Sequence, residues 1–149
     1  MGISEDIQQK TFQSEFAKAI INVFYTSSWL GQVHHKLFKS YGLTQPQFNV
    51  LRILRGQHPS PATVNLIIER MLDKSSNASR IVDKLESKGL VLRRQCPSDR
   101  RAVDVIITDA GLNLLKQMDG ELNQFERGMQ KLTDKESEQL NALLDKMRS

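Results

Sequence analysis

The chain has 149 residues, 26% of them charged and 39% hydrophobic, with a formal net charge of +4; this is the balance of one soluble globular domain, or of a small domain plus an interaction arm, and excludes a disordered polymer. No apolar run nears the roughly 18 residues a membrane span needs, and the polar start MGISEDIQQK lacks a signal peptide's basic and apolar regions, so a cytoplasmic location with no membrane partner is expected. A single cysteine, Cys96, excludes an internal disulfide framework, and with no CxxC spacing and only His34, His35 and His58 as histidines, no metal site is expected.

Residues 1–10 carry little pattern. From Phe12 the apolar positions Phe12, Phe16, Ile20, Val23, Leu30, Val33, Leu37 and Tyr41 step by three, four or seven, which predicts one long amphipathic helix ending near Gly42. Phe24, Trp29 and Phe38 widen its apolar stripe beyond what a small domain needs for itself, so part of this helix is expected to meet another subunit. Thr44 opens a second helix, with Gln47 completing a capping box and Pro46 in the first turn; it presents Phe48, Val50, Leu51 and Leu54 and is expected to stop at Gly56. The loop QHPSP breaks the chain. A third helix from about Thr63 is expected to bury Val64, Ile67, Ile68 and Met71.

A fourth helix, capped by Asp73 or Ser75, places Ala78, Ile81, Val82 and Leu85 on one buried face and turns Ser76, Asn77, Ser79, Arg80, Asp83, Lys84 and Lys88 outward, with Gly89 as its stop. Leu90 to Arg94 and Val103 to Thr108 read as paired strands, and residues 96–101 between them as a projecting flexible loop. From Lys74 to Arg101 there are eight Lys/Arg against Asp83, Glu86 and Asp99, a net of +5, so the rest of the chain sums to −1. Positive charge gathered on one helix and one hairpin points to phosphates as the partner. Thr108 then caps a long helix whose Leu115, Met118, Leu122, Phe125, Met129 and Leu132 follow the 3.5-residue repeat of a helix–helix seam, weakened locally by Gly120 and Gly128. Thr133 and Glu136 form another capping box and start a final helix expected to bury Leu140, Leu143, Leu144 and Met147.

Two helices joined by a short turn and followed by a basic-tipped hairpin make a winged helix-turn-helix. The fold class expected is mainly α with a small β-hairpin wing, flanked by N- and C-terminal dimerisation helices. In Ser79-Arg80-Ile81-Val82-Asp83-Lys84-Leu85, Lys88-Gly89-Leu90-Val91, Asp99-Arg100-Arg101-Ala102-Val103 and Thr108-Asp109-Ala110-Gly111 the chain resembles the MarR family (multiple antibiotic resistance regulators) of bacterial and archaeal transcription factors. The order of elements matches over nearly the whole chain. The resemblance implies one intertwined domain in which residues 1–42 and 109–149 dimerise and residues 43–108 bind DNA. It further implies a homodimer with one recognition helix per major groove, on a pseudopalindromic operator with half-sites roughly 34 Å apart. The family's wing pair falls on Asp99 and Arg101, the acid orienting an arginine that enters the minor groove. One departure stands out: where many members have glycine then an apolar residue in the helix-turn-helix turn, this chain has Leu72 then Asp73, leaving the recognition-helix start open by a residue or two.

The candidate DNA contacts are therefore Ser75, Ser76, Asn77, Ser79, Arg80 and Lys84 on the helix, and Arg94, Asp99, Arg100 and Arg101 in the hairpin. Arg80 suits bidentate pairing to guanine and Lys84 suits a phosphate. Arg93 and Arg94 alternate in face, so only one of them points to DNA. Tyr25, Trp29, His34 and Phe38 are candidates for a small aromatic or anionic effector, with dimer-core aromatics as the competing reading. The expected function is a double-stranded-DNA-binding regulator, a ligand-responsive homodimeric repressor. The alternatives are a winged-helix protein-interaction module, or a redox-responsive regulator acting through Cys96 beside its basic neighbours. Without a glycine-rich phosphate loop, a nucleophile with a placed base or metal spacing, no enzyme activity and no cofactor are expected.

Overall fold

The computed structural model describes residues 1–149. In chain order the elements are α1 (Ile3–Asp6), α2 (Glu15–Ser40), α3 (Gln45–Gln57), β1 (Ala62–Thr63), α4 (Val64–Arg70), α5 (Ala78–Ser87), β2 (Val91–Cys96), β3 (Asp99–Ile107), α6 (Asp109–Met129) and α7 (Asp134–Arg148). They group into two compact units, Met1–Leu114 and Leu115–Ser149.

In the first unit, residues 1–10 hold a short helix with Ile3 buried, where the sequence shows no pattern. The long helix begins at Glu15 rather than Phe12, because the Ser14 hydroxyl accepts the Ala17 N–H at 3.0 Å and caps it. Its end is the predicted one: Gly42 adopts φ 70° while the Leu43 N–H reaches back to the Phe38 carbonyl at 3.0 Å. Gly89 (φ 73°) closes α5 in the same way, with Leu90 N–H on the Leu85 carbonyl. The Thr44–Gln47 capping box forms at the start of α3, which runs one residue past Gly56. Phe38, at 2% exposure, stacks on Phe48 with ring centroids 4.6 Å apart and ties α2 to α3.

Around this contact lie Val50, Leu51, Leu54, Ile67, Val82 and Leu85, all buried, so α3, α4 and α5 share one core. Burying six such side chains fully contributes on the order of 1.5–3 kcal/mol each. Two expectations fail on α4 and α5. With only seven residues, α4 buries Ile67, while Val64 is half-buried and Ile68 lies on the solvent side; Met71, just past its end, is buried. Ile81 is half-buried, since Ala78, Val82 and Leu85 already fill the face of α5.

The sheet has three strands, in the order β1-β3-β2, not the two of a simple hairpin. β1 pairs Ala62 with Val105 and Thr63 with Asp104, a partnership too short to show as a pattern in the sequence. The expected flexible loop over residues 96–101 is also corrected. The strands run on to Cys96 and Asp99, leaving Pro97 and Ser98 as the turn. A register shift between Gln95, paired with Val103, and Cys96, paired with Asp99, puts residues 100–102 out of the ladder as a bulge. Where β3 passes into α6, the Thr108 hydroxyl accepts the Gly111 N–H at 3.2 Å and donates to the Gly89 carbonyl at 2.7 Å, which caps α6 as expected and ties the cap residue to the end of α5.

In the second unit α6 buries Leu115, Met118 and Leu122, leaves Phe125 and Met129 half-buried, and is followed by an exposed Leu132. The Thr133–Glu136 capping box opens α7, with Glu136 Oε2 accepting the Thr133 N–H at 2.8 Å. The expected burial on α7 does not occur within one chain. Leu140, Leu143 and Met147 are exposed and Leu144 is half-buried, because a helix stripe is covered only where an apolar surface faces it.

Candidate nucleic-acid interface

The turn between α4 and α5 settles where the outward face begins. Neither Asp73 nor Ser75 caps α5. Asn77 does, its Oδ1 accepting the Arg80 N–H at 3.1 Å. The Asp73 carboxylate is occupied one step earlier, accepting the Ser75 hydroxyl at 2.6 Å and the Ser75 N–H at 2.9 Å. These bonds, the hydroxyl first, hold the Asp73 pKa below its ordinary value. Ser75 therefore sits in the turn with its hydroxyl turned to Asp73, and Ser76 is half-buried beside it. Ser79, Arg80 and Lys84 are exposed, with Arg80 and Lys84 one helical turn apart on a common face. This face carries an arginine near the helix start, the end from which helices of this kind read base edges, and a lysine a turn behind it.

On the hairpin, Arg93 and Arg94 separate as their alternation requires. Arg93 turns under the sheet to pair with Asp83 of α5, and its N–H is accepted by Glu86 at 2.8 Å, so it fixes the wing to the recognition helix. Arg94 is exposed on the other face, opposite the buried Asp104. At the tip, Asp99 Oδ1 accepts the backbone N–H of Arg101 at 2.9 Å, so the acid orders the peptide that carries the arginine rather than its guanidinium. Arg100 and Arg101 both stand exposed on the bulge. Gln95 braces it by donating to the Arg100 carbonyl at 3.0 Å.

Three of the eight basic residues in the charged segment serve the protein itself. Lys74 donates to the Ile68 carbonyl at 3.0 Å and to that of Glu69, closing the end of α4. Lys88 reaches the Gly42 carbonyl and Gln47 Oε1, the latter at 3.3 Å. Arg93 is held by Asp83. Composition cannot separate these from Arg80, Lys84, Arg94, Arg100 and Arg101, which stand exposed. Sequence reading also passed over Gln95 and Asn49, whose Oδ1 accepts the Leu72 N–H at 3.0 Å; a polar residue on an otherwise amphipathic helix gives no sign of a partner 23 positions away.

A cleft of about 390 Å³ opens in the first unit between Ser27 of α2, Gln45, Pro46 and Asn49 of α3, and the turn from Met71 to Lys74 with Ser76. None of the four effector candidates lines it. Phe38 is core, His34 lies tilted against it with centroids 5.7 Å apart, and Tyr25 and Trp29 are exposed on α2. Cys96 is half-buried at the hairpin turn with its Sγ 3.2 Å from Ser98 Oγ. The structure holds no group of three or more His, Cys, Asp and Glu side chains placed to bind a metal, and no helix long and apolar enough to cross a membrane.

The family model of the MarR family matches residues 43–103, which span α3 to the middle of β3. The transcriptional repressor IacR of Pseudomonas putida is 30% identical, over 78% of this chain and 74% of its own length. Among solved structures, a MarR transcription factor from Planctomyces limnophilus is 32% identical, with a TM-score of 0.69 over 91% of this chain and 98% of that one. The Staphylococcus aureus MepR–DNA complex shares the fold at 22% identity, with a TM-score of 0.74 over 92% of this chain and 97% of that one. A recognition helix with an exposed Arg80 and Lys84, a wing pinned to it through Arg93, and these likenesses lead to one conclusion: the chain belongs to the MarR family and is a DNA-binding transcription regulator.

Proposed function

We propose that this regulator is a homodimeric repressor whose grip on a pseudopalindromic operator loosens when a small aromatic or anionic molecule binds. The observation that carries the dimer is the apolar surface α2 leaves open: Phe24 is 73% exposed and Phe16 62%, with Ile20, Val23 and Trp29 also exposed. Large apolar side chains in such a row mark an interaction surface. The exposed Leu140, Leu143 and Met147 on α7 supply a second one. Two copies joined through these faces would set two recognition helices into successive major grooves about 34 Å apart. In that pose Arg80 pairs with a guanine edge, Ser76, Asn77 and Ser79 stand near bases, and Lys84, Arg94 and Arg100 meet phosphates. Arg101, on the peptide ordered by Asp99, enters the minor groove.

The cleft beside the helix-turn-helix turn is the place favoured for the effector, since its volume lies in the range of small-molecule sites and its wall includes the residues that launch α5. A ligand acts there only if it binds better to the state with altered half-site spacing.

The test is selection of random duplexes by the purified protein, followed by sequencing. An inverted repeat with half-sites about one helical turn apart is expected. Phe24→Glu should dissociate the dimer in sedimentation analysis and abolish enrichment of the full repeat. Enrichment of no duplex, or a monomeric wild-type protein at micromolar concentration, would refute the proposal.

A further inference from the structure

The turn between α4 and α5, through Leu72 and Asp73, is held by polar contacts. Met71 is buried at the end of α4 and Ala78 is buried at the start of α5, but none of the side chains from Leu72 to Asn77 between them is fully buried. Leu72 itself is 80% exposed, so apolar packing does not anchor it. Hydrogen bonds do. Asp73 binds Ser75 within the turn, and Lys74 binds back to the carbonyls of α4, so both act locally. Asn49 alone among these three reaches the turn from a helix that does not border it: half-buried on α3, it accepts the Leu72 N–H with its Oδ1 at 3.0 Å.

We infer that Asn49 is a positioning residue for DNA reading, one that holds the path of the chain into α5 and so the register of Ser76, Asn77, Ser79 and Arg80 against the bases. Core packing through Ala78, Val82 and Leu85 fixes which face of α5 is buried. It leaves the segment before the helix free to shift along the groove by the small distances that separate a base contact from a miss. Because Asn49 lies in the wall of the cleft, movement of its carboxamide there would be felt at the turn. The inference rests on the regulator reading above.

The test compares the wild-type protein with Asn49→Leu, which matches the side chain in size but has no acceptor, and Asn49→Asp, which keeps one. Three quantities are measured: the ratio of affinities for the selected operator and a scrambled duplex at one salt concentration, the salt dependence of each, and backbone hydrogen exchange. In Asn49→Leu the ratio should fall about tenfold, the upper end of what one lost hydrogen bond gives, while the salt slope, which counts phosphate contacts, stays unchanged. Exchange should quicken at residues 72–77 and remain slow at Val82 and Leu85. Asn49→Asp should weaken both duplexes alike through its charge yet recover the ratio. Should Asn49→Leu fail to fold, with protection lost at Val82 and Leu85 as well, Asn49→Ala carries the same expectations. Unchanged discrimination in the acceptor-less variant, or a loss in Asn49→Asp equal to that in Asn49→Leu, overturns the inference alone. Failure of the wild-type protein to enrich any duplex overturns the regulator reading and this inference with it.

Discussion

Gly111 offers the sharpest test of how the first turn of α6 seats against Leu90 and Ile107. A Cβ built on it would lie 2.4 Å from the Leu90 carbonyl oxygen and 2.6 Å from Ile107 Cγ1. Real Cβ atoms do not come so close, and the nearer atom is backbone that already accepts the Thr108 N–H at 3.0 Å. In Gly111→Ala the start of α6 must move off the sheet. Overpacking of this kind costs about 1–3 kcal/mol, and disturbing the Thr108 bond adds about 0.5–1.5 kcal/mol. The gain in helix propensity from glycine to alanine offsets at most about 1 kcal/mol. A net loss of about 0.5–3.5 kcal/mol is expected, read from the urea midpoint at fixed protomer concentration with an unchanged slope. Gly56→Ala is the control: it lies in α3 with nothing within 4 Å of its added Cβ, and should stabilise by about 0.5–1 kcal/mol. Equal midpoints for wild type and Gly111→Ala would refute the close approach as the reason for this glycine.

Arg80→Ala should weaken operator binding by about 1–3 kcal/mol and relax specificity at one base pair, whereas Lys84→Ala should weaken all duplexes alike and reduce the salt slope by about one; fluorescence titrations across salt distinguish the two. Arg93→Ala should change DNA affinity less than Arg94→Ala, because Arg93 is engaged by Asp83; loss of that solvent-accessible pair, its arginine half-buried, should cost only about 0–1 kcal/mol of stability. Equal losses of affinity in the two variants would contradict the separation of their faces. The depressed pKa values of Asp73 and Glu136, the first held mainly by the Ser75 hydroxyl and the second by the Thr133 N–H, work in one direction. Their stabilisation is present above the ordinary values of 3.8 and 4.5 and is lost as pH falls through the lower folded-state values, so Asp73→Asn and Glu136→Gln should each flatten the acid limb of the stability profile.

Features written in nearest neighbours and in periodicity were legible without any structure. The Thr44–Gln47 and Thr133–Glu136 capping boxes, the stops at Gly42 and Gly89, and the apolar face of α5 through Ala78, Val82 and Leu85 all depend on residues within one or two turns of each other, so spacing alone exposes them. The motif Thr108 to Gly111 was legible as a signature, though not the steric reason for its glycine. Whatever depends on partners far along the chain emerged only once the chain was folded. Folding set β1 beside β3, engaged Lys74, Lys88 and Arg93 with carbonyl or carboxylate partners of the chain itself while leaving Arg94 on the surface, and buried Phe38 against Phe48 instead of leaving it for a ligand. It also placed the cap of α5 at Asn77 and tied the turn before it to Asn49. A count of charges or a helical wheel records only what a residue is and where it falls on its own element. Whether a lysine meets a carbonyl or a phosphate depends on which other element the fold brings within about 3 Å of it.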